Sequence, residues 1–462
     1  MATWTEEVAA LPGPRYLAIA KSVASAIGRG QIEPGDTLPP HRDLALTLKV
    51  NVSTVTRAYT EMKRRGLVVG EVGRGTFVAK QVPDAPPTIW DLPADRRFID
   101  LSHNFPARAP LNAEFSAFTD KVLRRQHSRE LMRYQVDWGL RTHRAAGAAW
   151  LRNSALPART DEVVVTAGAQ HGIFLAISAL ARPGDVVMTE EMTFYGFKSA
   201  AALLGLTVAG IRMDGQGLIP EALEEVCRRT DAKLLYCTPT LHNPTTSIMS
   251  AKRRPEVAEI CARHDVTIVE DDVYGFLLRP RLPPLAQFAP DRSVYVTSLS
   301  KCINPGLRIG YLYARPPNLA RIRVALRATI LMATPLMAEV AAQVIRSGAA
   351  ERIAESQRRE MQRRHAASDS ILPGHLATSH PNSFHTWLRL KNGWSARQFA
   401  RAAERRKVGV TPADIFSVTS QEEIAAVRIC VSAAHDVSQL RQALHTLAGL
   451  IEEHPQDETP FV

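Results

Sequence analysis

The sequence predicts an α/β protein in two parts: a small N-terminal unit of short helices closed by a strand pair, and a large C-terminal unit on a mostly parallel central sheet. Three patterns lead there. Residues 16–64 carry apolar side chains at helical spacing, punctuated by glycine and proline. Residues 67–78 hold two short strand-like runs around Gly73-Arg74-Gly75. From about Phe98 onward, short Val/Ile/Leu runs alternate with helical patterns, as in a parallel sheet covered on both faces.

The totals agree with a composite architecture. A chain of 462 residues exceeds the ~100–200 of one ordinary domain, and 45% apolar against 22% charged residues supplies a core without a signature of disorder. No apolar run approaches the ~18 residues of a membrane span, and the first ten residues are acidic where a signal peptide is basic, so a cytoplasmic location is expected. Five scattered cysteines with no C-x-x-C pair argue against a disulfide framework and a zinc site. Cys302 reads as a small packing residue, with a redox switch as the alternative. The net charge of +11 favours polyanionic partners, and it is concentrated: residues 41–80 hold eight Lys/Arg against three Asp/Glu.

In the N-terminal unit, Tyr16, Leu17, Ile19, Ala20, Val23, Ala24 and Ile27 form one helical stripe that Gly28 and Gly30 end. Pro39 and Pro40 stand where a second helix begins, a position that tolerates proline's missing N–H, and Leu44, Ala45 and Leu48 form its stripe. Asn51 can cap a third helix whose apolar stripe is Val52, Val55, Ala58, Tyr59 and Met62, leaving Ser53, Thr54, Thr56, Arg57 and Arg64 outward. Two short helices followed by a glycine-tipped strand pair make a winged helix-turn-helix, whose second helix enters the DNA major groove. The segments Leu38-Pro39-Pro40-His41-Arg42-Asp43-Leu44-Ala45, Thr54-Val55-Thr56-Arg57-Ala58-Tyr59 and Gly73-Arg74-Gly75-Thr76-Phe77-Val78 closely resemble the GntR family of regulators, over roughly residues 14–79. That resemblance implies contact with a double-stranded DNA operator by Arg42, Asn51, Ser53, Thr54 and Arg57, with Arg74 at the wing tip reaching the minor groove or a phosphate. Where the family often has arginine second in the recognition helix, this chain has Val52.

Residues 81–97 contain Pro83, Pro86, Pro87 and Pro93 with little apolar periodicity and read as a semi-rigid spacer. The expected division is therefore residues 1–80, a linker over 81–97, and 98–462. Trp90 is expected to dock the spacer onto the larger unit.

In the large unit, strand-like runs at 163–165, 186–188, 234–236, 266–269 and 294–296 are followed by polar groups, and ligands in such sheets bind beyond the carboxyl ends of the strands. The first precedes Gly168-Ala169-Gln170 and a helix, a natural phosphate seat. The last three lead to Leu241-His242-Asn243-Pro244-Thr245, to Asp271-Asp272-Val273-Tyr274, and to Ser298-Leu299-Ser300-Lys301 with Pro305-Gly306-Leu307-Arg308 after it. An aldehyde cofactor needs an imine-forming lysine, a carboxylate for its pyridine nitrogen, a donor at its ring oxygen and an anion clamp, and these strand ends supply the set.

In order and spacing these motifs resemble the fold-type-I pyridoxal-phosphate enzymes, the aspartate aminotransferase superfamily, over most of residues 98–455. The resemblance implies pyridoxal 5′-phosphate held as an imine on Lys301, with Asp271 at the pyridine nitrogen and Asn243 and Tyr274 as donors to the ring oxygen. Ser298, Ser300, Arg308 and the Gly168-Ala169-Gln170 turn would clamp the phosphate. Phe194 would stack on the ring, with Tyr195 as second candidate. Tyr134 would reach the neighbouring subunit's phosphate in a homodimer, and Arg428 would bind a substrate carboxylate. The two modules together resemble the MocR subfamily of GntR regulators, in which the aminotransferase-like domain is a sensor in a head-to-tail dimer. An amine or amino acid would then be the effector. The competing expectation is a working aminotransferase with a DNA-binding appendage.

Overall fold

The computed structural model describes residues 4–8, 14–28, 32, 35–64, 67–71, 75–78, 97–107, 111–124, 126–372, 376–418 and 424–455. Arg74, Trp90 and all of the expected spacer but Arg97 lie outside the described residues. The chain divides into two units, Met1–Thr88 and Ile89–Val462.

The small unit runs α1 (Arg15–Gly28), β1 (Thr37–Leu38), α2 (His41–Leu48), α3 (Val52–Arg64), β2 (Val68–Glu71) and β3 (Gly75–Val78). Pro40 occupies the N-cap of α2, and Lys49 ends the helix at a left-handed φ of 52°, returning its N–H to Ala45 and Leu46 carbonyls. Asn51 Oδ1 accepts from Ser53 N at 2.9 Å, so the expected cap is present. One core gathers Ile19 and Val23 of α1, Leu44 of α2, and Val55, Ala58, Tyr59 and Met62 of α3. Val52, expected on that stripe, is instead 41% exposed. It opens α3 a full turn ahead of Val55, at the rim of the packed cluster. The three strands form an antiparallel sheet in the order β1-β3-β2. The two-residue β1 has no periodicity by which a sequence could announce it.

The large unit is built on a seven-stranded sheet of β4 (Val163–Thr166), β5 (Val186–Glu190), β6 (Thr207–Ile211), β7 (Leu234–Cys237), β8 (Thr267–Asp271), β9 (Ser293–Ser298) and β10 (Gly310–Ala314), in the order β4-β10-β9-β8-β7-β5-β6. All strands point one way except β10, which is antiparallel to both neighbours. Side chains alternate between two cores: Val163, Val165, Tyr295 and Tyr311 enter one, and Val164, Val294, Val296 and Leu312 the other. Burial on both faces explains the uninterrupted apolar runs.

Because β4, β7, β8 and β9 run in the same direction, their carboxyl ends and the loops behind them share one edge of the sheet. A smaller antiparallel sheet, β11 (Leu376–Thr378), β12 (Thr386–Arg389), β13 (Thr411–Pro412) and β14 (Ala426–Ile429), carries Arg428 in the order β11-β12-β14-β13. The short strand Ile99–Asp100 pairs in parallel with Val408–Gly409, and Cys430 N donates to Leu101 O at 2.8 Å, which ties residues 99–104 to this sheet. Among the described residues no helix is long and apolar enough to cross a membrane, and no cluster of His, Cys, Asp and Glu could hold a metal ion. All five cysteines are free and buried.

Candidate functional site

Asp271 ends β8 only 5% exposed. Its Oδ2 accepts from Tyr236 Oη of β7 at 2.8 Å, while Oδ1 is buried with no hydrogen-bond partner. Burial and the neighbouring Asp272 push this carboxyl up to about 7, against the Tyr236 hydrogen bond and Lys301, which lower it. Tyr236 itself stacks flat on Phe197, ring centroids 4.1 Å apart.

Lys301 follows β9 in the Ser298–Lys301 turn. Its Nζ donates to the Asn104 carbonyl. Burial, helped by the Arg428 and Arg308 guanidinia and opposed by Cys430 and Asp271, brings the amine down from 10.5 to about 8. Asn104 also donates from Nδ2 to Tyr274 Oη at 2.9 Å, so one loop residue touches both the lysine and the tyrosine.

Arg428 of β14 is buried and reaches across to the loop after β7. Its Nη1 donates to Asn243 Oδ1 at 2.7 Å, Nη2 to Ser102 O at 2.6 Å and to Thr411 Oγ1 at 3.3 Å, and the guanidinium lies 4.8 Å over Phe416. Only Nε is buried without a partner. Two histidines border the same loops, and burial holds both neutral: His242, pushed down to about 3, and His385, well below its usual range.

The anion seat is built from three pieces. The helix α4 (Ala169–Leu180) begins behind Gly168, which sits at φ +86° with no side-chain cap on the first turn. A Cβ at Gly168 would come within 2.9 Å of Arg308 Nη2, so only glycine lets this guanidinium lie against the turn. Arg308 is in the left-handed region at φ 50° and donates from Nη2 to Ala167 O at 3.1 Å. Ser298 Oγ accepts from Ser300 N at 3.0 Å and donates to Ser300 Oγ at 2.9 Å, setting both hydroxyls at the end of β9. Backbone N–H groups at a helix N-terminus together with a guanidinium make a phosphate site. The Gln170 side chain is committed elsewhere, donating to Gly196 O at 2.8 Å, which leaves its backbone for the anion. Gly196 also keeps a tight approach, since a Cβ there would meet the Phe194 ring at 2.4 Å. The Phe194 and Tyr195 rings are tilted 49° to each other, centroids 4.8 Å apart. Phe194 packs with the sheet core and Tyr195 with Met192 and Phe416.

Most sequence-selected residues of the large unit therefore converge: Lys301, Asp271, Tyr274, Asn243, Arg428, Ser298, Ser300, Arg308 and the Gly168 turn. Tyr134 does not, being 83% exposed. Asn104, Ser102 and Tyr236 were not selected. A tyrosine inside a buried strand does demand a hydroxyl partner, which is the signal Tyr236 offered. Asn104 offered none, because its partners lie far along the chain. In the small unit Arg42, Asn51, Ser53 and Arg57 are exposed and Thr54 is half-buried, while Arg57 Cζ lies 4.5 Å over the Tyr16 ring.

Fold and site together define a two-module protein, a winged helix-turn-helix head joined to an aminotransferase-type domain. The chain belongs to the gntR family of bacterial regulatory proteins over residues 15–78 and to the class I and II aminotransferases over residues 96–447, the combination found in the MocR subfamily. It is similar to the uncharacterized HTH-type transcriptional regulator YdeF of Bacillus subtilis, at 30% identity over 98% of this chain and 97% of that one. It is also similar to the HTH-type transcriptional regulator TauR of Rhodobacter capsulatus, at 30% identity over 68% and 70%. Among solved structures, an archaeal alanine:glyoxylate aminotransferase superposes with a TM-score of 0.72 at 25% identity, covering 77% of this chain and 90% of that one. The kynurenine aminotransferase of Pyrococcus horikoshii shares the fold at a TM-score of 0.72 and 22% identity, covering 77% and 91%. The cofactor of this domain type is pyridoxal 5′-phosphate, and the residues present fit it. The unpartnered buried Asp271 Oδ1 awaits a donor, Lys301 offers an amine of lowered basicity, and the Gly168 turn and Arg308 form a cradle that a single added Cβ would fill.

Proposed function

We propose that this chain is a transcriptional regulator whose large domain holds pyridoxal phosphate on Lys301 and reads an amine or amino acid effector through it. The observation that carries the reading is a half-buried lysine of lowered pKa held within the electrostatic reach of a buried carboxylate that keeps one oxygen free, in the same chain as an exposed recognition helix.

When bound, the cofactor supplies an aldehyde for covalent capture and an electron-withdrawing ring. The chain's own residues do the rest. Lys301 Nζ, brought down to about 8, would be the amine that holds the cofactor's aldehyde and, when free, could hold a proton as a general base. Asp271, raised to about 7 by burial, would face the ring nitrogen, and a protonated nitrogen there would favour its charged form. Asn243 and Tyr274 would orient the ring oxygen, and Ser298, Ser300, Arg308 and the Gly168-Ala169-Gln170 backbone would hold the phosphate. Phe194 would cover one ring face. Arg428, through its free Nε and the nitrogens it now gives to Asn243 and Ser102, receives the effector's carboxylate. An effector regulates only if it binds two conformations with different affinity, and residues 81–97 would relay that difference to the operator-binding head.

The reading includes a homodimer. Tyr134, Met132 and Val136 are exposed, as are Ile330 and Leu331, and Gln135 N donates to Met332 Sδ at 3.1 Å, joining the two segments into one apolar patch. A second copy packed there, head to tail, would place Tyr134 at its neighbour's phosphate. A regulator of this kind works in the cytoplasm.

The test is to titrate amines and amino acids into the cofactor-loaded protein while following its visible spectrum and DNA binding together. Coupled changes support a sensor. Amino-group transfer to a keto acid at ~1 s⁻¹ or faster, with DNA binding unmoved, supports instead an aminotransferase with a DNA-binding appendage, for which Lys301 and Asp271 are equally suited.

A further inference from the structure

The exposed face of α3 is less polar than its sequence suggests. Thr56 donates its hydroxyl to Val52 O at 3.0 Å, and Thr60 donates to Thr56 O at 2.9 Å. Thr56 Oγ1 also lies 3.2 Å from His41 Nδ1, and since its proton faces Val52 O, it accepts from the imidazole. Ser53 turns its hydroxyl onto Asn51 Oδ1 at 2.9 Å. Val52, Thr56 and Thr60 stand four residues apart, so they lie one above another along the helix, and all three are exposed. With the threonine oxygens held against the helix, this line turns aliphatic methyl groups outward. It is flanked by charged and hydrogen-bonding side chains, Arg42 from α2 and Lys63 from α3, which are exposed too.

In the major groove only thymine carries a methyl group, at C5, and aliphatic side chains are what recognise it. We propose that Val52, Thr56 and Thr60 form a methyl-reading stripe, which selects thymine at the operator positions facing the first turns of α3, and that the flanking cations hold phosphates. The inference rests on the reading of the small unit as a DNA-binding head. It assigns base choice to van der Waals contact at Val52, Thr56 and Thr60, three positions outside the expected set of DNA contacts.

The test begins with the full-length protein selecting duplexes from a randomised pool. The enriched duplex is then made with deoxyuridine in place of each thymidine in turn, which removes the C5 methyl and leaves every hydrogen-bonding group. At one or more positions the uracil duplex binds about fourfold more weakly, the worth of one buried methyl. Thr56→Ser, which removes the methyl and keeps the hydroxyl, weakens the thymine duplex to the same degree and shows no further loss on the uracil duplex. Thr56→Val, which keeps both methyl-sized branches and removes the hydroxyl, retains both thymine preference and affinity. Equal binding of thymine and uracil duplexes overturns the stripe while leaving DNA binding intact. Loss with Thr56→Val and retention with Thr56→Ser also overturns it, assigning the contact to the hydroxyl. If no duplex is enriched, the DNA-binding head falls and the stripe with it.

Discussion

Asp271 receives the Tyr236 hydroxyl on one carboxylate oxygen at 2.8 Å and leaves the other buried and unmet. A half-satisfied buried carboxylate destabilises the chain without cofactor and prepares it for a cationic N–H donor. Asp271→Asn keeps an acceptor for Tyr236 and removes the charge. The cofactor should then bind about 2 kcal/mol more weakly, the worth of a charge-assisted hydrogen bond, as read by spectral titration. The cofactor-free variant should unfold no lower than the parent at pH 8. The sign follows from the raised carboxyl: its contribution to stability is present below 3.8 and lost as pH rises through about 7, so the substitution flattens that fall.

Lys301 sets the pH dependence of cofactor capture. Only a neutral amine attacks a carbonyl, and burial with the Arg428 and Arg308 charges brings this one to about 8. The rate at which cofactor-free protein takes up pyridoxal phosphate should climb with pH and flatten above about 8, as followed by stopped-flow absorbance. A rate still rising about tenfold per pH unit between 9 and 10 would return the lysine to its ordinary basicity.

The Gly168 turn is the most vulnerable point of the anion seat. Gly168→Ala forces a Cβ to 2.9 Å from Arg308 Nη2 at a φ of +86°. The backbone strain of this glycine-only conformation costs about 1–3 kcal/mol, read in thermal unfolding, and displacement of Arg308 should weaken the cofactor by about 1 kcal/mol or more, read in titration.

How much of this was legible in the sequence depended on distance along the chain. Lys301, Asp271 and Arg308 were readable because each lies in a short motif at or just beyond the end of a buried strand. Asn104 was not, because its partner Tyr274 lies 170 residues away and no local pattern records such a contact. The parallel strands β4, β5, β7, β8 and β9 announced themselves as apolar runs. The edge strand β6, exposed at Thr207 and only half-buried through most of its length, did not. Nor did the sheet that carries Arg428, whose two-residue strand β13 is too short to show alternation. Val52 misled in the other direction, since helical periodicity gives an angle around the axis and says nothing of how far the packed core extends along it.

Arg428 is predicted to choose the effector. With the parent protein an amino acid should bind more tightly than the amine lacking its carboxylate, and Arg428→Lys should narrow that gap by about 1–3 kcal/mol through loss of the planar donor fork. An unchanged ratio in spectral titrations with paired ligands would place the carboxylate elsewhere.

In the head, Arg42→Ala and Arg57→Ala should each weaken operator binding, by about 1–3 kcal/mol where the contact is a bidentate base pair, with a steep salt dependence. Arg57 also stacks on Tyr16, so its removal should lower the melting temperature while that of Arg42 does not. Unchanged footprints with both variants would remove α3 from the groove.

The most direct measurement is chemical. Purified protein incubated with pyridoxal phosphate is reduced with borohydride, digested and mapped by mass spectrometry. A single pyridoxyl adduct on the peptide carrying Lys301, absent in Lys301→Ala, is the predicted result. No adduct, or one spread over other lysines with Lys301 unmodified, would contradict the account.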